Sequence, residues 1–271
     1  MLYIGACFTW IGLGLVPVML LLFGADDMTS PLALSLSAVG MSGGAAAIAE
    51  AMRRILQWEI PETWALRRVS MPGGFLGGAV LGALTLGVVG EWLGVGLWEV
   101  LNNAFGWELP NNNLAAIAES LRHGALGERA LFVAVVVLIG PLLEELVFRG
   151  FLWRVLEGNA RPVGAILGTS LVFGMWHLDP IQSVGVLPLS FFLGVVRWRS
   201  GSLRPCIAVH VLNNGLAAAT ILAGWDEPTS PPWLVAALTG GIVAFLVIKR
   251  HPRPHGAHAD VSCPSEDQGD D

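Results

Sequence analysis

The sequence predicts an all-α membrane protein of about eight transmembrane helices, with its N- and C-termini in the cytoplasm. Three observations carry this. Hydrophobic residues make up 54% and charged residues 13% of the 271, and the mean hydropathy is +0.64, outside the range of soluble globular domains. Apolar stretches near the roughly 20 residues that a spanning helix needs recur along the chain. Arginines gather in alternate connections between those stretches, as they do in cytoplasmic loops.

The first stretch, 2–24, has no Lys or Arg ahead of it. It lacks the basic leader of a signal peptide and reads as a retained span. The second, 30–50, is rich in Ala, Gly and Ser, and the third, 73–101, carries Gly73, Gly74, Gly77, Gly78, Gly82 and Gly87. Small residues of this kind suit close packing against neighbouring helices. The segment 102–128 reads as an outer connection. In it Asn111–Asn113 can cap a helix, and Leu114, Ile117, Ala118 and Leu121 fall at helical spacing, so a short amphipathic helix on the membrane surface is expected. The remaining spans are 129–157, 162–181, 183–198 (short, and flanked by Arg197 and Arg199), 204–224 and 231–249.

With the N-terminus inside, Asp26 and Asp27 fall outside and Arg53, Arg54, Arg67 and Arg68 inside. Arg154, Arg161, Arg197, Arg199, Arg204, Lys249, Arg250 and Arg253 also fall inside. Arg122 and Arg129 are the exceptions. Residues 1–250 read as one polytopic unit, its motif-bearing core at about 129–224, followed by a disordered acidic tail, 251–271. That tail holds five acids against Arg253 and so accounts for −4 of the net −6. His251, His255 and His258 lie among Pro252 and Pro254 and read as solvated.

Several classes are disfavoured. No basic face suggests nucleic acid as a partner. Cys7, Cys206 and Cys263 are far apart, with no CxxC, which argues against a disulfide framework or a zinc ribbon. Arg outnumbers Lys249, the only lysine, which hints at a prokaryotic source and a plasma-membrane location.

The chemistry lies in three of the apolar spans. Glu144 and Glu145 follow fourteen uncharged residues, 130–143. Charge at such a depth is costly and marks a functional site by default. Glu145 and Arg149 are four apart, share a helix face and can pair, which holds Glu145 ionised. Glu144 points about 100° away, with no cation on its own face, and is left for proton transfer. His177 closes the fifth span. His210 and Asn214 share a face of the seventh and could donate to a developing oxyanion. Counted from these boundaries, His177 lies roughly 9 Å beyond the middle of its span, while His210 lies to the other side of its own. Convergence then requires the fifth helix to extend past Asp179, or to tilt or break, as Pro180 allows.

The order Glu144-Glu145-x-x-x-Arg149, Phe173-x-x-x-His177 and His210-x-x-x-Asn214 resembles the CPBP family, which comprises type II CAAX prenyl proteases and bacteriocin-processing (Abi) intramembrane proteases. The resemblance covers about residues 140–215. It implies an eight-helix membrane fold and endopeptidase activity. Glu144 then activates water with help from His177, Glu145 is tied to Arg149, and His210 with Asn214 stabilises the oxyanion. The implied partner is a membrane-associated peptide or protein; its identity is not implied. Family members have been treated both as metalloproteases and as metal-free enzymes. If a divalent ion such as Zn²⁺ is used, Glu144, His177 and His210 are the three ligands, with water in the fourth place. The commitment of Glu145 to Arg149 favours a centre without a tightly bound metal. Two other readings use the same residues: a transporter or proton relay, which the lack of internal repeats disfavours, and a non-catalytic membrane scaffold.

Overall fold

The computed structural model describes residues 30–106, 118, 121–157, 162–224 and 231–251. The first apolar stretch, most of the expected surface helix and the tail beyond His251 lie outside the described residues. Those described form helices and no strand. In chain order they are α1 (Pro31–Ile55), α2 (Ile60–Trp64), α3 (Gly73–Phe105), α4 (Leu126–Glu157), α5 (Pro162–Trp176), α6 (Pro180–Gly185), α7 (Leu187–Ser200), α8 (Arg204–Ala223) and α9 (Pro231–Arg250). Of these, α1, α3, α4, α8 and α9 are long and apolar enough to cross a membrane.

The expected fifth and sixth spans differ from the structure. Helix α5 stops at Trp176 instead of running to 181, because Leu178 takes a left-handed φ of 57°. Asp179 then caps a new helix, its Oδ1 accepting from the amides of Ile181 (2.8 Å) and Gln182 (2.9 Å). Pro180 fits the first helical position, where its missing N–H costs nothing. The region 162–200 is therefore three short helices, α5, α6 and α7, in place of two continuous spans.

Small residues let the backbones touch. A Cβ on Gly90 of α3 would stand 1.9 Å from the carbonyl oxygen of Gly185 in α6, and one on Gly82 would stand 2.3 Å from the Phe192 ring of α7. Close approach of this kind substitutes for the hydrophobic drive that lipid removes. Two apolar clusters flank α4. Trp153 joins Ile166, Phe192, Leu193 and Val209 on one side. Val147, Phe148 and Phe151 join Ala45, Ala49, Phe173 and Trp176 on the other.

Helix α4 is irregular in a way that positions the site. Two widened π-turns, Val135–Ile139 and Leu146–Leu152, bracket the α-helical piece Gly140–Glu145. Pro141 accounts for the first. It has no N–H and its ring crowds the preceding turn, and a wide turn relieves both. The Gly140 amide reaches five residues back, to the carbonyl of Val135. The next carbonyl, Val136, would need an amide that Pro141 lacks, and it accepts from Asn214 Nδ2 of α8 instead (3.0 Å). In the second wide turn the carbonyl of Arg149 accepts from Arg197 Nε of α7 (2.9 Å). Each irregularity is thus pinned by a neighbouring helix, which keeps the buried backbone polar groups satisfied.

The basic connections meet at one end of the bundle. The Leu203 amide donates to Ala65 O (3.0 Å), Ser202 Oγ to Arg67 O (2.8 Å) and Arg204 Nε to Leu66 O (2.8 Å), while Arg199 bonds the carbonyl of His251.

Candidate active site

Glu144 and Glu145 leave α4 in different directions, and His210 of α8 stands between them. The His210 Nδ1 lies 2.9 Å from Glu145 Oε1, and its Nε2 lies 3.8 Å from Glu144 Oε2. A carboxylate acceptor at Nδ1 requires the proton there, so Nε2 is the nitrogen that faces Glu144. The 3.8 Å gap is too long for a direct hydrogen bond.

The inner half of this arrangement is closed. Glu145 and Arg149 are fully buried, and Arg149 Nη1 donates to Glu145 Oε1 at 3.1 Å. Arg149 Nη2 donates to the carbonyl (3.0 Å) and hydroxyl (2.6 Å) of Ser190 on α7. Its guanidinium also stacks 4.7 Å from the centre of the Phe173 ring. One carboxylate oxygen therefore receives both an arginine and a histidine, fixing the imidazole plane. The outer half is open. Glu144 is 17% exposed, and its Oε1 accepts from Ser42 of α1 at 3.4 Å.

Phe173 joins the two histidines. Its ring meets His177 edge-on at 5.0 Å and His210 at 5.7 Å, with Phe148 at 5.1 Å. His177 leans back along α5, its Nδ1 donating to the carbonyl of Phe173 (3.0 Å), which leaves Nε2 as the free nitrogen. It stands within electrostatic reach of Glu144 and His210. The mismatch counted from the sequence assumed a helix running on to 181; the chain instead breaks at Leu178, and one Phe173 ring meets both histidines. Asp179→Ala is expected to cost about 1 kcal/mol through loss of the cap that follows His177, with Asp179→Asn recovering most of it, as read by thermal unfolding in detergent.

Asn214 is engaged with Val136, as above, and its Oδ1 accepts from Asn213 Nδ2 (3.2 Å). Its amide nitrogen carries two hydrogens, and the bond to Val136 takes one. Cys206, one turn before His210, directs its thiol at the carbonyls of Leu193 and Ser202. The expected metal ligands Glu144, His177 and His210 do not close into a cluster; among the described residues no group of three His, Cys, Asp or Glu side chains does so. Each histidine already commits its Nδ1, to Phe173 or to Glu145. Sequence reasoning missed Ser42 and Ser190. The only sign of Ser190 was a lone hydroxyl in the apolar run 187–193, and Ser42 was one of several small residues in α1.

Comparison with known proteins bears on the stretch that builds this site. Residues 126–216, from the start of α4 into α8, match a family model described as Rce1-like, type II CAAX prenyl endopeptidase. The chain is 37% identical over 97 residues to the membrane-embedded CAAX protease MroQ of Staphylococcus aureus (strain USA300); the alignment covers 31% of this chain and 37% of that relative. The chain thus spans well under half the length of the curated relative it matches. No solved structure matches. Five membrane-length helices among the described residues, together with a membrane-embedded bacterial relative, make this a multi-pass integral protein of the plasma membrane. The match is centred on the three motifs, in order on α4, α5 and α8, and in this stretch the chain is similar to the type II CAAX prenyl endopeptidases of the CPBP family.

Proposed function

We propose that this protein is an intramembrane endopeptidase that hydrolyses peptide bonds of membrane-associated proteins or peptides with a water activated by Glu144. The observation that carries the proposal is the pairing of Glu144 Oε2 with His210 Nε2 at 3.8 Å, the imidazole being held from behind by Glu145 and Arg149. Glu144 takes a proton from water as the oxygen attacks the carbonyl carbon, and returns it to the leaving amine. Negative charge on the carbonyl oxygen is met by the second Asn214 hydrogen, with the His210 ring, held by Glu145, beside it. His177 Nε2 holds the water on the far side.

Substrates are bounded by the membrane and not by prenylation: the motifs transfer chemistry and leave the cleaved sequence open. The convergence of the basic connections at one end, where α9 also finishes, supports that end of the described bundle lying in the cytoplasm. The test is reconstitution of purified protein in liposomes with membrane-inserted peptides, reading peptide products and proton flux together. Products without flux support the protease. Flux without products favours the transporter or proton relay, and neither favours a scaffold. The same preparation, fully demetallated, addresses the cofactor: retained cleavage fits the glutamate mechanism, and loss that Zn²⁺ restores fits the three-ligand reading through Glu144, His177 and His210.

A further inference from the structure

Ser42 lies on α1, outside residues 126–216 that carry the family match. It is 3% exposed, and its hydroxyl donates to Glu144 Oε1 across 102 residues of sequence. A serine inside a helix commonly turns its hydroxyl back to the carbonyl four residues earlier. Ser35, on the same helix and equally buried, does so, bonding Pro31 O at 2.6 Å. Ser42 instead directs its hydroxyl at the carboxylate. One Glu144 oxygen, Oε1, is thereby tied to Ser42 of α1, while Oε2 is left facing His210 of α8 across 3.8 Å. The small residues of α1 gain a purpose beyond packing, because Ala45 and Ala49 let the helix seat against Val147 and Phe148 of α4, next to the glutamate.

We infer that Ser42 is a positioning residue for the reaction, orienting the Glu144 carboxylate so that Oε2 faces His210 and the attacking water. This inference rests on the hydrolytic reading of the site. Glu144 has no cation on its own helix face, and the bond from Ser42 limits rotation of its carboxylate. Without that bond the carboxylate samples orientations in which Oε2 turns away, and fewer bound complexes react.

The test uses full-length protein in liposomes with a cleavable membrane peptide. Ser42→Ala is expected to lower kcat roughly tenfold, the scale of one hydrogen bond to a charged group, with KM and unfolding temperature little changed. Ser42→Thr restores the hydroxyl, and Ser42→Val has the same shape without it, so Thr is expected to recover kcat and Val is not. Ser35→Ala, which removes a hydroxyl from the same helix away from Glu144, is expected to leave kcat unchanged. A second readout needs no turnover: the carboxylate stretch of Glu144, isolated by infrared difference against Glu144→Gln, is expected to shift in Ser42→Ala. Unchanged kcat and an unshifted band in Ser42→Ala overturn the inference, as does equal loss in Thr and Val. If wild-type protein itself yields no product, the hydrolytic reading fails, and the infrared band alone then decides whether Ser42 orients the carboxylate.

Discussion

Glu144→Gln is expected to lower peptide cleavage by about 100- to 10,000-fold, the range that a positioned general base contributes, without lowering the unfolding temperature. Glutamine keeps the shape of the side chain and an oxygen to accept from Ser42, but it cannot take a proton from water. Nor does Glu144 hold the bundle together. It is partly exposed and outside the closed network of Glu145, Arg149 and Ser190. Mass spectrometry of the products, beside thermal unfolding in the same detergent, separates the two effects. Turnover retained in well-folded Glu144→Gln would place the base elsewhere.

Arg149→Met is expected to act on stability, by about 3–5 kcal/mol, the cost of leaving one member of a buried ion pair alone. Arg149 is fully buried and donates to Glu145 and twice to Ser190, while its carbonyl receives Arg197. Methionine fills much of the volume and makes none of the side-chain bonds, so Glu145 is left as a buried carboxylate with only His210 for support. Replacing both residues, as Glu145→Leu with Arg149→Met, is expected to recover much of the stability, because apolar pairs of similar volume commonly match buried ion pairs. It is not expected to recover cleavage, since nothing then orients His210. Denaturant unfolding of the three variants tests this. A fully stable Arg149→Met would show that the pair is not a structural clamp.

The parts of this architecture that repeat along a helix were readable from spacing. The interval between Glu145 and Arg149 placed them on one face, and the structure joins them at 3.1 Å. Apolar length marked α1, α3, α4, α8 and α9 to within a few residues. Features that depend on other helices were not readable. Nothing local distinguishes Ser42 from Ser35, yet one reaches a glutamate and the other its own backbone. Ser190 is paired with Arg149 only because α7 packs beside α4. The break after Trp176 had a sign in Pro180, but its site is set by the left-handed backbone at Leu178, a residue with no preference for that conformation. The widened turns around Glu144 had a sign in Pro141. Periodicity alone assumes an even α-helix and could not show that Asn214 would serve the carbonyl Pro141 leaves behind.

The central claim is that Glu144 and His210 work as one hydrolytic centre. The direct measurement is kcat/KM for the wild type, Glu144→Gln, His210→Ala and the double variant on one membrane peptide. Residues that act as a unit lose little more together than apart, so the double variant is expected to match the worse of the two singles. Losses that multiply in the double variant, or near-normal turnover in either single, would contradict it.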